Sequence, residues 1–345
     1  MTNLKLNKSK ILIGKGLFEN FSRQALNITE PCKILVLSDE NVAKFYLEKL
    51  KKDLEKSGFK VSEFIIKPGE KSKNLSTVMK IYEKMVADFF SRGDMIISLG
   101  GGVVSDIAGF AAATYLRGIK FASIPTSLLA QIDASIGGKN GVNLDCGKNL
   151  VGTFYNPEFI LVDSNLLSTL PKSELRCGFA EAIKCGCIKD EKLFEIFENE
   201  NLEKNLDEII KRSILVKKDI VLKDEFDLGE RKLLNFGHTL GHAYEKLGNF
   251  ETFSHGEAVA IGMNEITKIS EKLGLTKKGT SQRLTEVLKK NQLTVSSDFE
   301  RKDILKAILH DKKISGSFID LAVLKSIGSG FVHRVSCSKI ADFLS

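Results

Sequence analysis

The stretch Asp94 to Leu116, DMIISLGGGVVSDIAGFAAATYL, decides the fold. Met95 to Leu99 reads as a short buried strand. It runs into Gly100-Gly101-Gly102, and an apolar run rich in alanine follows with the length and composition of a helix. A strand feeding a helix through a tight turn is the opening of a strand-helix-strand unit. The glycine triplet has two readings. Glycines let the backbone approach a phosphate at a helix N-terminus, whose free N–H groups and dipole favour an anion. They also make an ordinary tight turn. The spacing is neither GxGxxG nor a Walker A loop.

The same texture extends outward. KILVLS (33–38), VSEFII (61–66), KFASIP (120–125) and FILVD (159–163) read as strands, with helical patterns over 41–57 and 75–91. Strands alternating with helices predict a parallel sheet covered on both faces. After Pro171 strand-like runs nearly vanish. Amphipathic patterns over 172–189, 191–222, 231–247, 255–273, 279–291 and 301–312 predict an all-helical second domain. The apolar run 318–328 either pairs as a strand or leads into a last helix over 338–344.

With 345 residues the chain can build two cores. Its 43% hydrophobic and 28% charged residues are ordinary globular values. No apolar run reaches the roughly 18 residues of a membrane span, and the N-terminus lacks the apolar region of a signal peptide. The six cysteines form no CxxC pair, which fits a reducing cytoplasm. The net charge of +7 comes from scattered lysines, without the basic stripe of a nucleic-acid binder. An anionic small substrate is compatible with it.

Three of the five histidines lie in LLNFGHTLGHAYEKLGNFETFSH (233–255). His238 and His242, four apart, share a helix face, and His255 opens the next apolar run. Imidazoles from two helices plus one carboxylate suit a catalytic divalent metal; ordinary half-buried helix histidines are the other reading. Glu181, inside the apolar GFAEAIK (178–184), is the best candidate carboxylate, unless it forms a helix ion pair with Lys184. Asp39, at a strand end, accepts from a ribose hydroxyl or caps the next helix. The polar turn PGEKSK (68–73) reads as a solvated loop. DASIGGKNG (133–141) and GKNL (147–150) form a glycine-rich loop region, either positioning Asp133, Lys139, Lys148 and Asn149 against a ligand or lying in solvent.

Taken together, these segments resemble the 3-dehydroquinate synthases. The resemblance runs through GGGVVSDIAGFAA (100–112), YLRG (115–118), IPTSLLAQIDASIGGKNGVN (124–143), GKNLVGTFYNP (147–157), GFAEAIK (178–184), LLNFGHTLGHA (233–243), HGEAVAIGM (255–263) and HDKK (310–313). It implies a Rossmann-like α/β NAD-binding domain over 1–168, an all-α metal- and substrate-binding domain over 169–345, and a homodimer. It places the metal, zinc or cobalt, on Glu181, His238 and His255, and moves His242 to proton and phosphate chemistry. Around NAD it sets Asp39, Glu70, Lys73, Gly101, Gly102, Val103, Asp106, Thr126, Ser127, Lys139 and Lys148. Around the substrate it sets Asp133, Lys139, Asn149, Lys184, Lys217, Arg231, Asn235, His242 and Lys312, with Arg117 reaching the phosphate across the dimer. Among these it implies catalytic roles for Lys139, Lys184, Asp227, Asn235 and His242.

At Asp227 the family usually carries a glutamate, so this carboxylate is one methylene shorter. The implied substrate is a phosphorylated sugar acid, 3-deoxy-D-arabino-heptulosonate 7-phosphate. Bound NAD+ would take a hydride from its C5, phosphate would be eliminated, the NADH so formed would return the hydride, and the opened ring would close by an intramolecular aldol. A sibling cyclase acting on sedoheptulose 7-phosphate, a metal-dependent polyol dehydrogenase and a nucleotide-binding regulatory module are the competing readings.

Overall fold

The computed structural model describes residues 1–309 and 317–344. It divides into two compact units, Met1–Pro171 and Lys172–Ser345.

The first unit holds β1 (Thr2–Leu6), β2 (Ser9–Ile13), α1 (Phe21–Leu26), β3 (Lys33–Asp39), α2 (Glu40–Lys56), β4 (Lys60–Ile66), α3 (Leu75–Ala87), β5 (Met95–Gly100), α4 (Gly102–Thr114), β6 (Lys120–Pro125), β7 (Lys139–Leu144), β8 (Gly147–Phe154) and β9 (Phe159–Val162). The main sheet runs β1-β2-β9-β6-β5-β3-β4, parallel except for the β1–β2 hairpin. All six residues of β5 are buried, as a central strand covered on both faces requires. One core packs Ile34, Val36, Ile97 and Leu99 under α1 and α2; the other packs Leu35, Leu37 and Ile96 under α3 and α4.

Two features depart from the sequence reading. The β1–β2 hairpin was not anticipated, because five of its ten strand residues, Thr2, Asn3, Lys5, Ser9 and Lys10, are polar. The glycine-rich region around Lys139 is no loop but the antiparallel pair β7–β8. Gly141 and Gly152 face one another there, and a Cβ on Gly141 would stand 2.7 Å from the Val151 carbonyl oxygen. These glycines serve close strand approach rather than a flexible loop.

The second unit holds α5 (Lys172–Lys189), α6 (Glu191–Asn199), α7 (Leu206–Lys223), α8 (His238–Leu247), α9 (His255–Lys272), α10 (Thr280–Lys290), α11 (Arg301–Leu309), β10 (Phe318–Ser326), β11 (Ser329–Ser336) and α12 (Ile340–Phe343). It is helical, with one correction to the all-α reading: 318–326 pairs with 329–336 in a hairpin. The single helix expected over 191–222 is two. The break falls at Glu200–Asn205, where Asn201 Oδ1 accepts from the Lys204 N–H at 3.0 Å and competes with the helical ladder. The run 231–247 is likewise split, by Gly237 at φ 79°. A 3-10 turn covers Glu230–Asn235, and α8 begins at His238.

Candidate active site

In the first unit, β3 leads outward to β4, whereas β5 leads the other way to β6. The loops after β3 and β5 therefore diverge, and open α/β sheets take ligands in the crevice such a divergence leaves. Asp39 sits there. Its Oδ1 accepts from the Asn41 and Val42 N–H groups at 2.8 and 3.2 Å, the helix-capping alternative of its two readings. At the glycine turn, a Cβ on Gly100 would stand 2.6 Å from Val104 Cγ2, so only glycine lets α4 start this close to its strand. No side chain caps α4. Its first turn thus offers backbone N–H groups and the positive end of a 13-residue helix. The Thr126 N–H donates to Gly100 O at 3.0 Å, and Ser127 Oγ lies 3.5 Å from where a Gly101 Cβ would be. This is a cradle that fits a pyrophosphate.

Beside it lies a charged cluster. Lys73, 5% exposed, pairs with Asp106 and donates to Asn149 Oδ1 at 2.6 Å. Glu70 Oε1 accepts from Asn143 Nδ2 at 2.7 Å. The turn 68–73, read from sequence as a solvated loop, thus carries one buried cation and one engaged carboxylate. Lys139 opens β7 with its ammonium 6.0 Å above the Phe154 ring. Asp133 lies in the single π-helical turn Ala130–Ala134. Arg117 follows Leu116 in a turn where both take left-handed backbone, φ 68° and 49°.

In the second unit, local sequence and close helix packing converge on one point. Ser254 and Glu257 form a reciprocal capping box that makes His255 the first residue of α9. Gly256 lets that helix end approach α5; a Cβ there would stand 2.5 Å from Cys177 Cα. Cys177 is one turn before Glu181, so His255 arrives beside Glu181. The Nε2 atoms of His238 and His255 stand 3.4 and 3.6 Å from Glu181 Oε1. Each ring is turned by its other nitrogen: His238 Nδ1 lies 3.2 Å from the Phe236 carbonyl oxygen, and His255 Nδ1 lies 3.4 Å from Glu245 Oε2. A carbonyl can only accept, so His238 Nδ1 carries the proton and Nε2 presents its lone pair.

Glu181 is 1% exposed, and among the described residues its Oε1 accepts no hydrogen bond. A buried carboxylate oxygen facing two imidazole nitrogens, with the three ligand atoms within 4.8 Å of one another, fits a divalent ion with nitrogen and oxygen ligands. The ligand atoms of His242, Glu245 and His255 also lie within 4.8 Å of one another and form a second possible set. Lys184, also 1% exposed, pairs with Glu181. Burial disfavours charge on Glu181, yet Lys184 and His255 hold its carboxyl down at about 2. Burial likewise opposes charge on His255, while Glu181 and Glu245 push it up to about 10.

A family model for the 3-dehydroquinate synthase N-terminal region matches residues 63–177, and one for the C-terminal region matches 178–314. The chain belongs to the 3-dehydroquinate synthase family. It is 46% identical over 343 residues to the 3-dehydroquinate synthase of Clostridium acetobutylicum, covering 98% of this chain and 96% of that one. With that of Clostridium perfringens it shares 47% over 339 residues, 97% of each. Among solved structures, a 2-epi-5-epi-valiolone synthase from Streptomyces hygroscopicus with NAD+ and Zn2+ bound matches with a TM-score of 0.88 at 26% identity, covering 100% of this chain and 98% of that one. A 2-deoxy-scyllo-inosose synthase complexed with carbaglucose-6-phosphate, NAD+ and Co2+ matches with a TM-score of 0.85 at 25% identity, over 99% of each.

For a 3-dehydroquinate synthase family member, the positions implied for substrate in the second unit are largely buried: Arg231 is 3% exposed and Lys217 6%. Arg231 is the second residue of the 3-10 turn, which packs on α5 and α7. Lys312 lies outside the described residues. Three residues that sequence reasoning passed over organise the rest. Glu245 turns His255. Asp224 gathers the N–H groups of Leu228, Gly229 and Arg231 at 2.9, 2.6 and 3.0 Å, which fixes the loop before Arg231. Asn143 bridges Glu70 and Asn149. Of these only Glu245 had a sequence signal, one turn after His242 on the same helix face.

Asp227 sits in the loop Asp224 shapes, at φ 63°. Left-handed backbone tolerates Asp better than Glu, a physical reason for the shorter acid here. Asp227→Glu is expected to keep the rate within about tenfold of wild type, about 1.4 kcal/mol in barrier. Asp227→Ala is expected to fall well below that, and a fully active alanine variant would remove the position from the site.

Proposed function

We propose that this chain is a 3-dehydroquinate synthase, converting 3-deoxy-D-arabino-heptulosonate 7-phosphate to 3-dehydroquinate and inorganic phosphate. The observation that carries the reading is the Glu181–His238–His255 cluster, a ligand set of the right donors with both imidazoles pre-turned, on a chain whose relatives at 46–47% identity carry that name. When bound, NAD+ supplies a reversible hydride acceptor and the divalent ion a Lewis acid.

The chain's own residues do the rest. Glu181 and the Nε2 atoms of His238 and His255 hold the ion, and Glu245 and the Phe236 carbonyl keep the imidazoles aimed. The glycine turn and the start of α4 receive the cofactor's pyrophosphate. Lys139, Lys184, Lys217 and Arg231 neutralise the carboxylate and phosphate of the substrate. His242, whose ring centroid lies 5.5 Å from that of His238, stands beside the ligand cluster as a proton carrier. No helix among the described residues is long and apolar enough to cross a membrane. All six cysteines are free thiols, which supports the reading of a cytoplasmic enzyme. The resemblance supports a homodimer with Arg117 contributed in trans.

The conversion is redox-neutral overall, and this gives the test. Phosphate release should require NAD+ and continue through many turnovers while NADH absorbance stays flat. A chelator should stop it, and zinc or cobalt should restore it. NADH accumulating in step with substrate consumed would make the protein a dehydrogenase. Turnover of sedoheptulose 7-phosphate in preference to the seven-carbon sugar acid would make it a sibling cyclase.

A further inference from the structure

Asn143 holds a position that no other side chain fills equally well. It lies in β7, half-buried, alongside the turn that carries Glu70 and Lys73. Its backbone N–H donates to Lys73 O at 2.8 Å, and Asn74 and Asn143 form an isolated parallel bridge. Its side chain reaches in two directions. Nδ2 donates to Glu70 Oε1 at 2.7 Å, and Oδ1 accepts from the Asn149 N–H at 2.8 Å. Asn149 in turn accepts from Lys73 Nζ at 2.6 Å through its own side-chain oxygen. The result is a closed ring: Lys73 to Asn143 to Asn149 and back to Lys73, with Glu70 tied on from outside.

The chemistry at each end fixes what the linking group must be. A carboxylate can only accept and a backbone N–H can only donate. The bridge therefore needs one donor and one acceptor on a single short planar group, which is an amide. The donor to Glu70 is neutral and the acceptor is charged, a stronger bond than a neutral pair. Asn149 takes left-handed backbone at φ 53°, so its side chain points where the loop sends it only while its N–H is held.

We infer that Asn143 is a positioning residue that couples the cofactor side of the first unit to its substrate side. One amide orients Glu70 for the nicotinamide dinucleotide and Asn149 for the phosphorylated sugar acid. This rests on the proposed function, in which Glu70 and Lys73 serve NAD+ and Asn149 serves the substrate.

The test uses the full metal-loaded chain, with the Kd for NAD+ measured by calorimetry and KM from phosphate release. In Asn143→Asp the acceptor for Asn149 survives, but an oxygen replaces the donor and faces the Glu70 carboxylate. Its Kd for NAD+ should rise about tenfold while KM at saturating NAD+ stays within about twofold. Asn143→Ala loses both contacts, so Kd and KM should both rise about fivefold or more. In a Glu70→Ala background, Asn143→Asp should add less than about a twofold further rise, because its route to the cofactor is gone.

Wild-type Kd and KM in both single variants would overturn the inference. So would an Asn143→Asp effect that persists undiminished in the Glu70→Ala background, since that marks general damage rather than action through Glu70. Should Asn143→Ala fail to fold, Asn143→Asp and the double variant decide the matter alone. Glu70→Ala by itself separates the layers. If it binds NAD+ as wild type does, the cofactor reading of Glu70 fails and the inference falls with it. If it binds weakly while Asn143→Asp binds normally, only the inference fails.

Discussion

Glu181→Gln is expected to lose most of its bound metal and at least about a thousandfold in phosphate release, roughly 4 kcal/mol of barrier. The carboxylate is the one anionic donor of the cluster, and its Oε1 already faces both Nε2 atoms at 3.4 and 3.6 Å. The glutamine keeps the volume of the site but not the charge. Glu181→Ala carries an added cost, because it removes the carboxylate that pairs with Lys184, which is 1% exposed. Removing one member of a buried ion pair costs about 3–5 kcal/mol, so the alanine variant tests stability as much as ligation. His255→Ala should lose metal as Glu181→Gln does.

His242→Ala should keep close to one equivalent of metal while losing activity, because His242 belongs only to the second possible set, with Glu245 and His255. Elemental analysis after dialysis reads both outcomes. Metal retained at the wild-type level in Glu181→Gln, or lost in His242→Ala, would transfer the ion to the second set.

Gly262→Ala should destabilise the second unit by about 3 kcal/mol, the upper end of what an added core methyl costs. A Cβ at Gly262 would stand 2.1 Å from the Gly237 carbonyl oxygen and 2.9 Å from the Gly241 nitrogen, both backbone atoms that no rotamer change can move. The strain can be relieved only by pushing α8 away from α9. His238 rides on α8 and His255 on α9, so the same shift widens the ligand cluster. The expected readings are a melting temperature lower by about 5–10 °C and weaker zinc binding together. A variant that melts and binds zinc as wild type does would show that the α8–α9 contact is softer than its geometry states. Loss of stability with unchanged zinc affinity would show that the cluster tolerates helix separation.

Much of this molecule was legible in its residues. β5 and α4 were readable because a central strand buried on both faces is nearly all apolar and its following helix nearly so. The capping box at Ser254–Glu257 is a local signature, and it puts His255 at a helix start without any knowledge of the fold. The breaks inside the long helical patterns were less visible. Asn201 and Gly237 interrupt them through one hydrogen bond and one positive φ, and neither disturbs the apolar period. The β7–β8 hairpin was misread because its glycines mark close backbone approach, which resembles loop composition when seen along one strand only.

By itself, then, the sequence determined the strand-helix order, the start of α9 at His255 and the residue types able to ligate a metal. Those are consequences of period, capping and side-chain chemistry, which act over a few residues. Tertiary structure alone decided which carboxylate meets which imidazole. Glu181 lies 57 positions before His238, and they meet because Gly256 and Gly262 let α9 close against α5 and α8. It also turned Asp39 into a helix cap, and brought Glu245 to His255, Asp224 to the loop before Arg231, and Asn143 to Glu70 and Asn149. Their roles depend on partners distant in sequence or on loop shape, and hydrogen-bond geometry at 3 Å is fixed only once the packed backbone sets both ends.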